Sequence, residues 1–450
     1  MLTIKEEERQ EYLMYQSSVD VYKNLIQGLV NLDTDYLDKY KGNVLVCGGM
    51  LGFNQGISVF LNQWSNKAPL FLLSEVTAEN RRFTDELIIF PHLSTPHLLS
   101  QNIYIKNMYM EEGLRYQSLC ESDTLLLDTI QRLEKKYELG EGYACYWTYC
   151  AKIYIEEVLR HLCPSEVYLW NQYTPFHILF GGLCKRRKIN VLFLEYGCIP
   201  GTYLIDSLGQ QGLSSISRRW FRHNLLHIKK NEKEHTKKII DFINDSEINR
   251  YLQPQKTNIG LYKEFHKSVN SVVLFIEQYD IESGIEPNDY INKKYNSPFF
   301  SSSLEAFLFV QEICKKNKWK LLYRQHPLMR AFSKAVPPID YNTTIIVSEY
   351  NLNELINSSD VMVTISSQAS YMSLFQKKPV VLLGRNELWR KGCVYQLCSR
   401  KKIEPMIKKA CYKGLTKLQN KNFISHLTRL RKYNLYDDMI ERNMRYGIKI

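Results

Sequence analysis

Short apolar runs alternate along this chain with longer stretches whose apolar residues recur every three or four positions. That pattern predicts strands alternating with amphipathic helices. "NVLVC" (43–47) reads as a buried strand, followed by a Gly-containing turn, a helix and a second strand in "APLFLLSE" (68–75). "SEVYLWN" (165–171) and "NVLFLEYG" (190–197) are further strands, separated by the helix-like "PFHILFGGLCKRRK". The first forty residues carry helical spacing through "YLMYQSSVDVYKNLIQGLVNL". Residues 229–267 are polar and charged and read as linker plus helix. The alternation then restarts: "SVVLFIEQ", "WKLLYRQ", "TTIIVSE", "DVMVTIS" and "PVVLLG" as strands, with "SLEAFLFVQEICKKN", "NLNELINSS" and "SQASYMSLFQKK" as helices. Two doubly wound α/β halves are expected, 1–255 and 256–450, the second with a helical tail. In such sheets ligands bind beyond the carboxyl ends of the strands, so those turns hold the candidate chemistry.

With 450 residues, 44% hydrophobic and 24% charged, the chain has the makeup of a soluble globular protein with room for two cores. No apolar run reaches the ~18 residues of a membrane span, and "MLTIKEEERQEY" lacks the apolar stretch of a signal peptide. A cytoplasmic protein is expected. Its eleven cysteines are scattered without a CxxC pair, which suits buried thiols better than disulfides or zinc. Charge is unevenly placed. Of 59 Lys/Arg and 47 Asp/Glu, 17 and 5 lie from Arg385 onward, leaving 42 of each before it. Such a segment suits an anionic lipid surface or polymer, or is a solvated basic helix face. No nucleic-acid motif accompanies it.

Four turns carry polar chemistry. In "FLEYGCIPGTYLIDSLGQQG", Glu195 ends an apolar strand ahead of Gly197, Pro200, Gly201, Thr202 and Asp206. A half-buried carboxylate there can act as a general base beside an acceptor, or can simply cap a loop. In "YRQHPLMR", Arg324, His326 and Arg330 share one strand end, with Pro327 fixing the backbone. Guanidinium forks and an imidazole can grip a phosphate and serve a departing one; a surface turn with a structural histidine fits too. In "VMVTISSQASYMSLF", Ser366 and Ser367 stand between strand and helix, as N-caps or phosphate donors. In "FIEQYDIESGI", Gln278, Asp280 and Ser283 can meet a base, ribose or sugar, or make up a polar loop. Asp33 and Asp35 form a DxD, but in a polar helix-loop context that favours solvated carboxylates. "CGGMLGFNQG" matches neither the dinucleotide nor the P-loop spacing.

The order Glu195-Tyr196-Gly197, His326-Pro327, Ser366-Ser367 resembles the bacterial capsule polysaccharide biosynthesis transferases, including β-Kdo transferases and bacterial GT-B sialyltransferases. The phrase "SSDVMVTISSQASYMSLFQKKPVVLLG" is its most specific part, and the likeness spans about residues 165–385. The resemblance implies a GT-B fold, two Rossmann-like domains facing a cleft, and an inverting glycosyltransferase needing no metal or cofactor. It implies Glu195 as general base, His326 at the leaving phosphate, and Ser366 and Ser367 holding phosphate. The implied donor is a CMP-activated acidic sugar, and the acceptor a glycan or glycolipid. Tyr196 stands where the sialyltransferases carry a second acidic residue. Three alternatives remain open at this point: a UDP-sugar donor, a CDP-polyol phosphotransferase, whose family also resembles "YRQHPL" and "DVMVTISS", and a non-catalytic capsule-assembly protein. The basic C-terminal segment is expected to meet the inner membrane surface, with no nucleic-acid partner.

Overall fold

The computed structural model describes residues 34–47, 69–73, 87–89, 117–118, 120–137, 141–248, 253–256, 265, 269–326, 338–397 and 399–437. The early helix expected over 12–32, the Gly-rich turn at 48–56, Asp33, Pro327, Arg330 and the last thirteen residues lie outside them. The chain divides into two units, Met1–Leu194 and Glu195–Ile450.

In the first unit, helix α1 (Thr34–Lys39) precedes strands β1 (Leu45–Cys47), β2 (Leu70–Leu73) and β3 (Leu87–Ile89). Then come helices α2 (Thr124–Tyr137) and α3 (Glu141–Leu162), strand β4 (Glu166–Leu169), helix α4 (Pro175–Arg186) and strand β5 (Asn190–Tyr196). The strands pair in parallel in the order β5-β4-β1-β2-β3. Tyr146, Trp147, Ile155 and Leu159 of α3 and Phe176, Leu179 and Phe180 of α4 share one buried core with Leu45, Leu70 and Val167. α4 opens with Pro175, whose missing N–H costs nothing in a first turn.

The second unit begins with the last two residues of β5, followed by β6 (Thr202–Asp206) and α5 (Lys230–Asp245). Its main sheet follows: β7 (Val272–Ile276), α6 (Ser303–Asn317), β8 (Lys320–Arg324), β9 (Thr344–Ile346), α7 (Leu352–Asn357), β10 (Val361–Thr364), α8 (Ala369–Phe375), β11 (Val380–Leu382) and β12 (Tyr395–Gln396). Helices α9 (Ile403–Lys413) and α10 (Lys417–Tyr433) and strand β13 (Leu435–Asp437) complete it. Strand order is β12-β11-β10-β7-β8-β9, all parallel, while β13 pairs antiparallel with β6. From β7 the chain builds outward through β8 and β9, then returns to lay β10, β11 and β12 on the other side. The reversal falls between β7 and β10, the place where open α/β sheets leave a crevice beyond their carboxyl ends. Local signals match: Ser302 caps α6 by accepting from Glu305 N, and Thr416 and Gln419 form a capping box on α10.

The doubly wound plan is met unit by unit. The division is not where the sequence placed it. Residue 255 lies well inside the second unit, because α5 packs on the C-terminal helix: Thr236, Ile239, Ile240 and Ile243 are buried, and the three isoleucines share a core with Phe423, Leu427 and Leu430. Thr428 donates to Thr236 at 3.0 Å, and Lys432 pairs with Glu232 at 2.8 Å. The basic tail is therefore no loose arm between Ile403 and Tyr433. Many of its cations are engaged, Lys408 with Glu404, Arg400 with Glu305, and Arg429 and Arg431 on Leu226 O and Thr236 Oγ1.

Candidate functional site

At the strand reversal the side chains following β7 and β10 meet. Gln278 Nε2 donates to Ser366 Oγ at 2.8 Å, and Ser366 N donates back to Gln278 Oε1 at 2.9 Å. Ser366 Oγ donates in turn to Gln211 Oε1 at 2.8 Å, and Asn386 Nδ2 donates to Ser366 O at 3.1 Å. Gln278 and Ser366 are 4% and 0% exposed. An amide pair this deep is tolerated because each polar atom has a partner. Ser366 Oγ is thus engaged by the two glutamines, whereas Ser367 is half-buried and accepts from Ala369 N at 3.3 Å.

The expectation that both serines cap the helix is corrected. Gln368 occupies the N-cap of α8, and its side chain points elsewhere: Nε2 donates to Glu195 Oε1 and, at 3.0 Å, to Tyr196 O. Glu195 is therefore held by the residue that directly follows Ser367. Gly197, next along, admits nothing larger; a Cβ would lie 2.0 Å from Thr202 Oγ1. The remaining turn residues are spent on the turn itself. Thr202 Oγ1 donates to Ile199 O, Gly201 has φ +82°, Pro200 is buried, and Asp206 accepts from the backbone N–H groups of Leu208, Gly209 and Ser215.

Arg324 donates to Tyr350 O at 3.0 Å and to Gln253 Oε1 at 3.3 Å, tying two loops together. His326 stacks its ring on Tyr279, centroids 6.2 Å apart, and its backbone N–H donates to Glu277 Oε2 at 3.0 Å. Burial pushes the imidazole down to about 4, against a weaker opposing pull from Glu282. At neutral pH the ring is uncharged, able to give a hydrogen bond but a poor source of a proton. Glu277 also accepts from Tyr323 OH at 2.8 Å, and burial holds its carboxyl above the usual range.

Asp280 accepts from Ser303 N at 2.7 Å and from Ser303 Oγ, and burial pushes it up to about 7. Ser283 donates its N–H to Tyr279 O at 3.0 Å, closing the turn. The structure thus joins Gln278, Ser366 and Gln211 by side-chain hydrogen bonds, pairs Glu195 with Gln368 and the His326 backbone N–H with Glu277, and gives Asp280, Ser283 and Arg324 partners in other loops and turns. Asp35 is exposed on α1. Among the described residues no group of three His, Cys, Asp or Glu could hold a metal.

Sequence reasoning missed Gln211, Glu277, Gln368 and Asn386. Gln211, Glu277 and Gln368 lie inside the quoted stretches and Asn386 twenty residues after Ser366, but the three amides carry no charge to mark them and Glu277 is marked only by its long-range partner Tyr323.

Residues 294–405, which contain β8, β10, both serines and Gln368, match a family model. It is that of the capsule polysaccharide biosynthesis proteins. No curated protein matched the sequence. Among solved structures, the chain is similar to a β-Kdo 2,4 transferase, KpsC of Thermosulfurimonas dismutans, at 16% identity over 58% of this chain and 79% of that one, TM-score 0.41. The β-Kdo 2,7 transferase of the same protein gives 15% identity, 61% and 79% coverage and a TM-score of 0.37. The MnaA–UDP structure of S. aureus gives 10%, 91% and 98%, with a TM-score of 0.37. Likenesses this remote transfer no activity.

Proposed function

We propose that this chain is a GT-B-type, inverting, metal-independent glycosyltransferase of bacterial capsule or other cell-surface polysaccharide synthesis, working in the cytoplasm. The observation that carries the reading is the Gln278–Ser366–Gln211 network at the strand reversal, inside and beside the segment matching the capsule family. The donor in this reading is a nucleotide sugar, with a CMP-activated acidic sugar (Kdo or sialic acid) as the first choice. Its phosphate lies against Ser367 and the neutral His326 ring, which stabilises the leaving group by a hydrogen bond rather than by giving up a proton. Glu195, oriented by Gln368, removes the proton from the acceptor hydroxyl as the new glycosidic bond forms.

The test has two arms. Calorimetry with CMP, CDP, UMP and UDP should find CMP preferred and its affinity reduced by His326→Ala. Sugar transfer from a CMP-sugar to a capsule oligosaccharide should fall ~10²–10⁴-fold in Glu195→Gln with CMP affinity retained, the loss typical of a removed general base. A preference for CDP would move the reading to polyol-phosphate transfer. Binding of none of the four would sink it.

A further inference from the structure

The short helix Trp220–Leu225 turns two large apolar side chains outward, Phe221 at 60% and Leu225 at 68% exposure. They stand four residues apart and so share one face. His223, on the other side, is buried, which fixes which face is outward.

The helix is held firmly from beneath. Asn224 Nδ2 donates to Arg390 O at 3.1 Å, Arg429 Nε to Leu226 O at 3.0 Å, and Tyr433 OH to His227 O at 2.8 Å. Lys391 Nζ lies 3.4 Å from His223 Nδ1. Arg390 stacks over Trp220 at 5.1 Å.

Charge along the chain around this helix has one sign. Arg218, Arg219 and Arg222 are exposed on it or beside it, and Arg390 is exposed above Trp220. From Ser207 to Asn231 the chain has five Lys/Arg and no Asp or Glu. An exposed Phe–Leu pair ringed by arginines and tryptophan is unfavourable in water, and a soluble polyanion would leave the apolar pair wet. A bilayer with anionic headgroups satisfies both halves: the rings and Leu225 enter the headgroup–acyl boundary while the guanidinium groups meet phosphate.

We propose that the Trp220–Leu225 helix, with Arg218, Arg219, Arg222 and Arg390, is a docking surface for an anionic lipid bilayer. This differs from the expected tail contact, since much of that tail is packed and paired. The loop bearing Arg390 also carries Asn386, which donates to Ser366 O, so a membrane-bound helix adjoins the strand-reversal network. The inference does not depend on sugar transfer and is tested without donor.

Full-length protein is sedimented with vesicles of 30% phosphatidylglycerol in phosphatidylcholine and with phosphatidylcholine alone. Binding at least tenfold stronger to the anionic vesicles is expected. Phe221→Ser with Leu225→Ser should lower that partition at least tenfold, and Arg219→Gln with Arg222→Gln at least fivefold; both pairs are exposed, and unchanged melting verifies folding. Truncation after Asp437 should leave it within twofold. The proposal is overturned if wild-type protein ignores anionic vesicles, if the apolar pair is dispensable, or if truncation alone abolishes binding. It is equally overturned if the Phe221/Leu225 change turns a dimer into a monomer at unchanged vesicle affinity, which would make this face a self-association surface.

Discussion

The ends of the adjacent strands β7 and β8 hold the chemistry most visible in the sequence, and burial treats their ionisable groups in opposite directions. After β7, Asp280 is pushed up to about 7; after β8, His326 is pushed down to about 4. Between those values both are uncharged. An acid and a base at neighbouring strand ends thus arrive at neutrality, because the cost of an ion in a poorly solvated place outweighs what nearby donors return. The polar groups at these strand ends are thus amides, hydroxyls and a neutral imidazole, and the guanidinium of Arg324 is engaged by Tyr350 O and Gln253 Oε1.

The largest effect expected of this comparison lies at Asp280. Its folded pKa exceeds the ordinary 3.8, so the folded state keeps a proton that the unfolded chain releases between about pH 4 and 7. Its contribution is full below about pH 4 and is lost as pH rises to about 7, by about 4 kcal/mol at most. Urea unfolding should therefore favour Asp280→Asn, relative to wild type, progressively as pH rises through that window. A difference that does not change with pH would mean that the two Ser303 donors keep Asp280 ionised and that the neutrality argument fails there.

Next comes the network itself. Gln278→Ala strips partners from Ser366 N and Ser366 Oγ in a place water does not reach. A buried polar group left unmade costs about 1–3 kcal/mol. Stability should fall by that amount, and nucleotide affinity at least tenfold if Gln278 also shapes the pocket. Retained affinity at reduced stability would confine the amide to a structural part.

His326 gives the mirror image of Asp280. Its folded pKa lies below the ordinary 6.5, so its contribution is present above about pH 6.5 and is lost as pH falls to about 4. With a half-buried ring the size is about 2 kcal/mol. His326→Asn should remove a slope of opposite sign to that of Asp280, over nearly the same window, about pH 4 to 6.5. Nuclear magnetic resonance titration of the ring settles the same point directly; a pKa near 6.5 would restore the proton-donor role.

Most of the strands and helices were legible because burial on both faces writes continuous apolar runs such as Val272–Ile276 and Val361–Thr364. Helix Ser303–Asn317 was readable to its ends, since capping and periodicity agree there. The unit boundary was not readable: what binds α5 to the second unit is the fit of Thr236 and Ile240 to a helix nearly two hundred residues later. For the site, Glu195, His326, Ser366 and Gln278 stood out as polar residues at apolar strand ends. Gln211 and Gln368 did not, because their importance lies in long-range partners. The pairing of β13 with β6 escaped for the same reason.

The smallest expected effect separates the two readings of Arg324. Its guanidinium spans Tyr350 O and Gln253 Oε1, a two-acceptor task that a lysine ammonium on a flexible stem meets less well. Arg324→Lys should cost about 1 kcal/mol of stability, one neutral acceptor's hydrogen bond. Nucleotide affinity should stay within twofold, because Arg324 bonds Tyr350 O and Gln253 Oε1 and not the amide network. If affinity instead fell tenfold while stability held, Arg324 would leave its loop partners for the donor phosphate. The β8 end would then be a charged grip in the bound state, and the contrast with β7 would belong to the empty protein alone.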